Sequence, residues 1–551
     1  MYAPVLWWLK QDFRFADNPA LRAALAEAEA RRTTVVPVFC FEPSILNAEE
    51  TGPLHVASWA EALADLRVRL RKHGGDVLVL HADAVEAFDR LYAALTEAGD
   101  GIAAIHAHEE YGSDVTFTRD KAVRLWAKAQ GIALHEHRQT GVFRPLRDRD
   151  ARTKRWKQFM DGGPLAAPDA EALRRIRVPE VARALEASVA ALLDDSAEAP
   201  VAVPAALDHP LTEAQQAHRQ AVSETEAQTT LDDFLNRRGL CYSGGISSPN
   251  TAFRCGSRLS VHLAWGTLTG RQAYAATEAR ILELAQIGHP DAGRWRKSLR
   301  SFLSRLHWRD HFVQRLESEP QMEFAPLNAA YAALPTPGDY HLDAWLAGRT
   351  GWPLVDACMR CLAATGFLNF RMRAMVTSAA VHSLRIGWRT TLYPLAQRWA
   401  DYVPGIHIAQ TQMQAGVVGI NQLRVYSPHK QLADHDPEAR FVKQWVPELA
   451  DAPALSILYH HDHPVDGYPA PLVDWAASSK AMKADYYAIK RRPETKALAD
   501  EVYAQHGSRR PPSSRTWKSN GSTSKRPRPK SSKTKPPKQP GPAPLFEQDG
   551  Q

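Results

Sequence analysis

The chain of 551 residues is longer than one hydrophobic core usually serves, so two or three domains are expected, and 44% hydrophobic with 23% charged residues is ordinary for a globular protein. Five scattered cysteines, no cationic and apolar leader at the start and no apolar run of ~18 residues argue against a disulfide-stapled secreted protein and against a membrane span, so a cytoplasmic protein is expected. The formal charge of +7 is local: from Arg509 onward eleven Lys/Arg face two acids, so the remainder is close to neutral and net charge alone points to no nucleic-acid groove.

In chain order, short apolar runs alternate with amphipathic stretches. The runs are VLWWL (5–9), TVVPVFCF (34–41), VLVLHA (77–82), IAAIHA (102–107) and IALHEH (132–137). Helical patterns such as NPALRAALAEAEA and VASWAEALADLRVRLRKHG lie between them, the second stopped by Gly74 and Gly75. Strands buried on both faces and joined by helical crossovers predict a doubly wound parallel α/β sheet over 1–138. The first strand runs into KQDFRFADN, which has no glycine fingerprint, so the usual dinucleotide layout fails. Residues 139–225, rich in Arg, Pro, Ala and Glu, predict a connector with some helix. Residues 226–504 have almost wholly helical periodicity and predict an all-α domain. Residues 505–551 offer no apolar face to offset the entropy of ordering and read as a disordered basic tail.

Three segments carry chemistry. LKQDFRFADNPAL at 9–21 is, taken alone, a turn followed by an Asp17/Asn18 helix cap. YSGGISSPNTAFRCGSRLSVHLAWGTLTGRQAY at 242–274 is a loop entering a helix, whose backbone N–H groups and hydroxyls, with Arg258, suit a pyrophosphate. TGWPLVDACMRCLAATGFLNFRMRAMVTSAAVHSL at 350–384, Trp388, and DYVPGIHIAQTQMQAGVVGINQLRVYSPHKQ at 401–431 supply apolar walls, a few polar groups and cations, which suit a flavin ring. Helical Arg, Asp and Met are singly more often surface or core; their appearance in this order is what counts. Across roughly 1–450 these segments resemble the photolyase and cryptochrome family.

The resemblance implies an all-α FAD-binding domain in which Tyr242, Ser257, Arg258, Leu259 and Ser260 line the phosphates and ribityl chain, with Gly256 where a Thr is usual. It implies Arg309, Asn369 and the Arg373/Asp401 ion pair on the cofactor, and His407 near flavin N5. It implies Trp308 as a stacking platform for a flipped-out lesion; Arg305 replaces the carboxylate usual one turn earlier and Met413 a second stacking tryptophan. Trp388 aligns with the middle of a tryptophan electron chain whose flavin-proximal position is Thr411, leaving Trp399, Tyr393 or Tyr402 as a detour. Trp388 and His407 are therefore the candidate catalytic residues. The implied activity is light-driven splitting of cyclobutane pyrimidine dimers in DNA by electron transfer from excited reduced flavin. Ala374, where six-four photolyases use a histidine, turns the balance away from that lesion. A cryptochrome-type photoreceptor without repair, a six-four photolyase and a plain nucleic-acid-binding module are the alternatives. Glu109, Glu110 and Tyr111 make room for a second, folate-type antenna chromophore.

Cys358 stands where iron-sulfur relatives place a cluster ligand, but no cysteine follows Cys361, and four thiolates are needed. Cys358 and Cys361 are expected as buried core thiols. His460, His461 and His463 with Asp462 lack a second ligand group, so no metal site is expected. The pattern is similar to a bacterial branch without the cluster, the group called NewPHL. A monomer without membrane contact, associated with the nucleoid when on damaged DNA, is expected.

Overall fold

The computed structural model describes residues 3–186 and 207–506; part of the connector and the basic tail from 507 lie outside the described residues. Five parallel strands, β1 (Val5–Trp8), β2 (Val35–Cys40), β3 (Leu78–Leu80), β4 (Ala104–His108) and β5 (Ala133–His137), form one sheet in the order β3-β2-β1-β4-β5. All five apolar runs become strands. The principal crossover helices are α1 (Pro19–Arg31), α2 (Pro53–Arg71), α3 (Ala84–Glu97) and α4 (Asp114–Ala129). Winding reverses between β1 and β4, which opens a crevice at the carboxyl ends of these strands. Strands β1 to β4 are buried along their whole length. β5 departs from the expected burial on both faces: none of its residues is buried, whereas β3, at the other edge of the sheet, is buried throughout.

The helical part contains α5 (Glu224–Asn236), α6 (Ala292–Ser318), α7 (Pro353–Thr365), α8 (Phe370–Ser378), α9 (Trp388–Ala396), α10 (Pro404–Ala415) and α11 (Trp475–Lys490). With 27 residues, α6 runs about 40 Å. α7 is buried almost all round, as befits a helix with apolar residues on every side, and it holds Cys358 and Cys361 as buried free thiols. A π-helical turn, Ala379–Ser383, follows α8 and widens the chain before α9.

The 9–21 segment does more than cap a helix. Asn18 Oδ1 accepts the Leu21 N–H at 2.9 Å and Pro19 opens α1, but Asp17, at φ 52°, turns away and accepts the Thr269 hydroxyl at 2.5 Å and an ion pair from Arg271. The buried Arg14 guanidinium donates to the carbonyls of Gly266 (2.7 Å) and Asp17 (2.9 Å). At Gly266 (φ 69°) a Cβ would sit 1.9 Å from the Gln11 carbonyl oxygen, so only glycine allows this approach of the two layers. The Trp265 indole donates to the Ala400 carbonyl at 2.7 Å, and His55 Nε2 donates to the Trp399 carbonyl at 2.8 Å. These bonds fix the sheet against the helices that carry the site, and the described residues form one compact unit. Among the described residues no helix is long and apolar enough to cross a membrane.

Candidate active site

The loop expected to hold a pyrophosphate is braced from both sides. Arg238, paired with Asp233, donates to the carbonyls of Gly256 and Ser257 (3.2 Å for the latter). From α8, the Asn369 amide donates to the carbonyls of Ile246 (3.0 Å) and Ser247 (2.9 Å). Both N–H groups of Asn369 are thus taken up by the loop, which they hold in place. Gly256 explains its departure from threonine: a Cβ there would lie 2.6 Å from the Ala252 carbonyl oxygen, which accepts the Gly256 N–H. Leu259 is fully buried and offers backbone only; Ser260 is exposed and opens the short helix Ser260–Trp265.

Cys241 and Cys255 bracket this loop and are joined by a disulfide, which corrects the expectation of a chain without one. Their separation of 14 in sequence gave no signal, because neither spacing nor count distinguishes a pair from scattered thiols.

Arg258 supplies the sharpest electrostatic feature. Its guanidinium lies 3.9 Å over Phe367 and 4.9 Å over Phe253, and its Nη1 is buried without a hydrogen-bond partner among the described residues. Burial pushes its pKa down to about 10, opposed by the Asp401 carboxylate. A buried guanidinium left with an unmet donor is costly, and an anion is what meets it. Nearby, Arg373 Nη2 reaches both oxygens of Asp401 at 2.7 and 2.8 Å, its Nε donates to the Leu368 carbonyl at 2.8 Å, and its guanidinium lies 4.0 Å from the Trp399 ring centroid. On α10, Gln410 has both amide atoms buried and without partners among the described residues. An unmet cationic donor, an unmet amide and a fixed cation fit the phosphates and polar ring edge of FAD.

His407 is buried, and its Nε2 lies 2.8 Å from the Leu392 carbonyl. A carbonyl only accepts, so Nε2 carries the hydrogen and Nδ1 the lone pair. Burial pushes the pKa down to about 4, keeping the ring neutral. Tyr242 packs among Phe234 and Phe302, and burial raises the pKa of its hydroxyl against the opposing pull of the Arg305 guanidinium. Arg305, expected at the lesion, therefore acts electrostatically on a residue expected at the cofactor. Arg309 donates to the Leu263 carbonyl at 2.7 Å and to Asp310 at 3.1 Å, and it lines a crevice with Glu109, Tyr111 and Gln139.

Trp308, Met413, Trp388 and Tyr393 all pack, half-buried, against one apolar cluster built on Phe312, Leu392 and Ile408. The structure thus brings together the expected lesion platform and the expected electron-chain tryptophan, while Thr411 is buried on the same helix as Met413. Sequence reasoning missed the cations beside this platform. His311 meets Trp308 edge-on at 5.2 Å, and Arg152 Nη2 lies 2.9 Å from His307. Arg315 and Arg152 are both buried, with Arg315 Nε and Nη1 and Arg152 Nη1 lacking partners among the described residues. Burial pushes the Arg315 pKa down to about 10 and that of His311 to about 2. The signal was the helical spacing of Trp308, His311 and Arg315 on one face of α6.

A second cavity opens at the carboxyl ends of β1, β2 and β4, lined by Lys10, Phe41, His55, Trp59, Arg119 and Tyr402. Of the three residues expected at an antenna, Glu110 is ion-paired with Arg119 and with Lys10 at 3.9 Å, and the Tyr111 hydroxyl donates to Glu109.

Residues 5–159 match the family model described as DNA photolyase, and residues 302–488 the one described as FAD binding domain of DNA photolyase. The 242–274 loop lies between the two matches. A deoxyribodipyrimidine photo-lyase of Thermus thermophilus is 30% identical over 455 residues, covering 81% of this chain and 92% of that protein. Cryptochrome DASH of Gloeobacter violaceus is 28% identical over 511 residues, covering 88% and 96%. The fold is similar to the crystal structure of an archaeal photolyase from Sulfolobus tokodaii with two FAD molecules, with TM-score 0.65, 24% identity and coverage of 88% and 100%. With both halves of the architecture matched, the chain belongs to the DNA photolyase and cryptochrome family and carries its FAD-binding domain.

Proposed function

We propose that this protein repairs DNA by light-driven splitting of cyclobutane pyrimidine dimers, at a site between the 242–260 loop and helices α6, α8 and α10. The observation that carries the reading is the half-buried Trp308, sharing an apolar cluster with Trp388 and Met413 and meeting His311, on which Arg152 and Arg315 act, each with at least one buried donor that lacks a partner among the described residues. An aromatic platform beside unmet cationic donors suits an extruded base pair and its phosphates. Stacking on Trp308 recovers ~1–3 kcal/mol, comparable to the few kcal/mol that extrusion of a damaged, poorly stacked pair costs.

FAD, bound and reduced, supplies the photoexcited electron. The chain's own residues hold and insulate it: Arg258 and Ser260 bind its phosphates, with Tyr242, Ser257 and Leu259 shaping the loop. Arg373, held by Asp401, sets a cation beside the ring, and Arg309 sits on the side toward the sheet. His407 accepts at Nδ1 and has no proton to give, since its Nε2–H is committed to Leu392. Asn369 fixes the loop. The cavity at the carboxyl ends of β1, β2 and β4 is proposed to take a second chromophore. Its aromatic and cationic lining suits a planar anionic pigment such as a folate or a second flavin, and the Sulfolobus relative's two FAD molecules support this.

A photoreceptor without repair is the second reading, favoured by Arg305 in place of a carboxylate, by Met413 in place of a tryptophan and by the Gloeobacter relative. Turnover of a dimer-containing oligonucleotide under blue light, against a dark control, separates the two.

A further inference from the structure

Along the β4–β5 edge of the sheet, under α1, the fold assembles a cluster of imidazoles and a carboxylate. Strand periodicity puts His106 on the face of β4 that α1 covers, and the parallel register sets His135 of β5 directly beside it. His137, two residues on, shares that face. Glu27 comes from the second half of α1, which packs over these strands. The His106 ring lies 4.9 Å from that of His135 and 5.2 Å from that of His137. His106 Nε2 is 2.8 Å from Glu27 Oε2, and its Nδ1 is 2.9 Å from His137 Nε2. One ligand atom each from Glu27, His106 and His135 lies within 4.8 Å of the others.

We propose that Glu27, His106 and His135 form a zinc-binding site that clasps α1 to the exposed edge strand β5. Two imidazoles and one carboxylate are a borderline donor set that Zn²⁺ accepts with three protein ligands and a water in the fourth place. Tetrahedral bonds of ~2.0–2.1 Å need donor atoms about 3.3 Å apart. The His106–Glu27 pair opens by about half an ångström to meet this, and the exposed His135 side chain turns inward. His137 completes the arrangement from outside. A ligating histidine commonly gives its other ring N–H to a fixed acceptor, and His137 Nε2 stands where His106 Nδ1–H needs one. Glu27 keeps its second oxygen on Arg31 at 2.8 Å, which orients the carboxylate. The cost the clasp addresses is specific: β5 pairs with β4 alone, and none of its side chains is buried.

The test uses the full-length flavoprotein, stripped of metal and dialysed against ZnCl₂, with bound zinc measured by elemental analysis and thermal unfolding followed with and without zinc. One Zn²⁺ per chain at micromolar free metal is expected, together with an unfolding temperature that rises with zinc concentration. His135→Ala removes an exposed ligand and leaves the fold intact, so it should weaken zinc binding by at least about tenfold and abolish the thermal shift. Glu27→Gln, which keeps a hydrogen bond to His106, should do the same. His461→Ala, in the distant histidine-rich loop, should change neither. Flavin absorbance should be equal in all four proteins. Zinc binding that is absent at these concentrations, that survives both His135→Ala and Glu27→Gln, or that is lost in His461→Ala overturns the proposal.

Discussion

Arg373 Nη2 holds both oxygens of Asp401 within 2.8 Å while the guanidinium lies 4.0 Å from the ring centroid of Trp399. The pair is largely enclosed, with the side chains 26% and 7% exposed, so removing one member leaves a charge poorly compensated. Asp401→Asn should lower FAD affinity by roughly a hundredfold, about 3 kcal/mol, and Asp401→Glu by much less. Titration of the apoprotein followed by flavin fluorescence measures this. Unchanged affinity in a folded Asp401→Asn protein would separate the ion pair from the cofactor.

Arg258 leads to the second expectation. Its buried Nη1 has no partner among the described residues, so in the apoprotein the guanidinium is a liability that a phosphate removes. Arg258→Ala with Ser260→Ala should yield protein that purifies without yellow colour, yet unfolds no earlier than the wild-type apoprotein. Full flavin content in the double variant would remove the loop from the site.

Photoreduction gives a third. Trp388 and Tyr393 pack on the same apolar cluster, and the Arg389 guanidinium stands 5.8 and 5.7 Å from their rings. Thr411 holds no oxidisable ring where the resemblance leads one to expect a tryptophan, and Trp399 beside Arg373 or Tyr402 beside His407 (5.6 Å) offers another step. Trp388→Phe should slow photoreduction only a few-fold, and Trp399→Phe should slow it more. Complete loss in Trp388→Phe alone contradicts the detour.

Stability should depend on acid in a defined window. Burial pushes His407, His382 and His55 down to about 4 and His262 to about 3, against about 6.5 in the unfolded chain. Between these values the unfolded state binds protons that the folded state refuses, so stability is full above about pH 6.5 and is lost as the pH falls toward 4. Each such histidine contributes a slope of up to about 1.4 kcal/mol per pH unit. Urea midpoints from pH 7.5 to 4.5 should fall steadily below pH 6.5; a flat profile contradicts the buried neutral rings.

Much of this was legible in the sequence. Strand runs of Val, Leu and Ile and the shift to helical period gave the sheet and the helical domain, because burial imposes those periods directly. Arg373 and Asp401 were found through their order in the chain and are joined in space. Other features were hidden by the nature of the signal. Arg238 and Asn369 act on backbone carbonyls, which leave no residue pattern. The Cys241–Cys255 bridge needs two loop ends to meet. The influence of Arg305 on Tyr242 and the contact of Arg152 with His307 link distant segments whose register only tertiary packing decides. The exposure of β5 was misjudged because an apolar run does not say how far the rest of the chain covers a strand: β3 and β5 both lie at an edge, and only β3 is buried.

The most direct test of the account is repair itself. Purified protein with chemically reduced flavin, mixed with an oligonucleotide carrying one cyclobutane thymine dimer, should restore the intact thymines under blue light and not in the dark. Trp308→Ala should weaken binding of the damaged strand by roughly ten- to a hundredfold while leaving flavin content unchanged. A wild-type protein that binds and photoreduces its flavin yet restores no thymine under saturating light contradicts the repair reading and leaves the photoreceptor in its place.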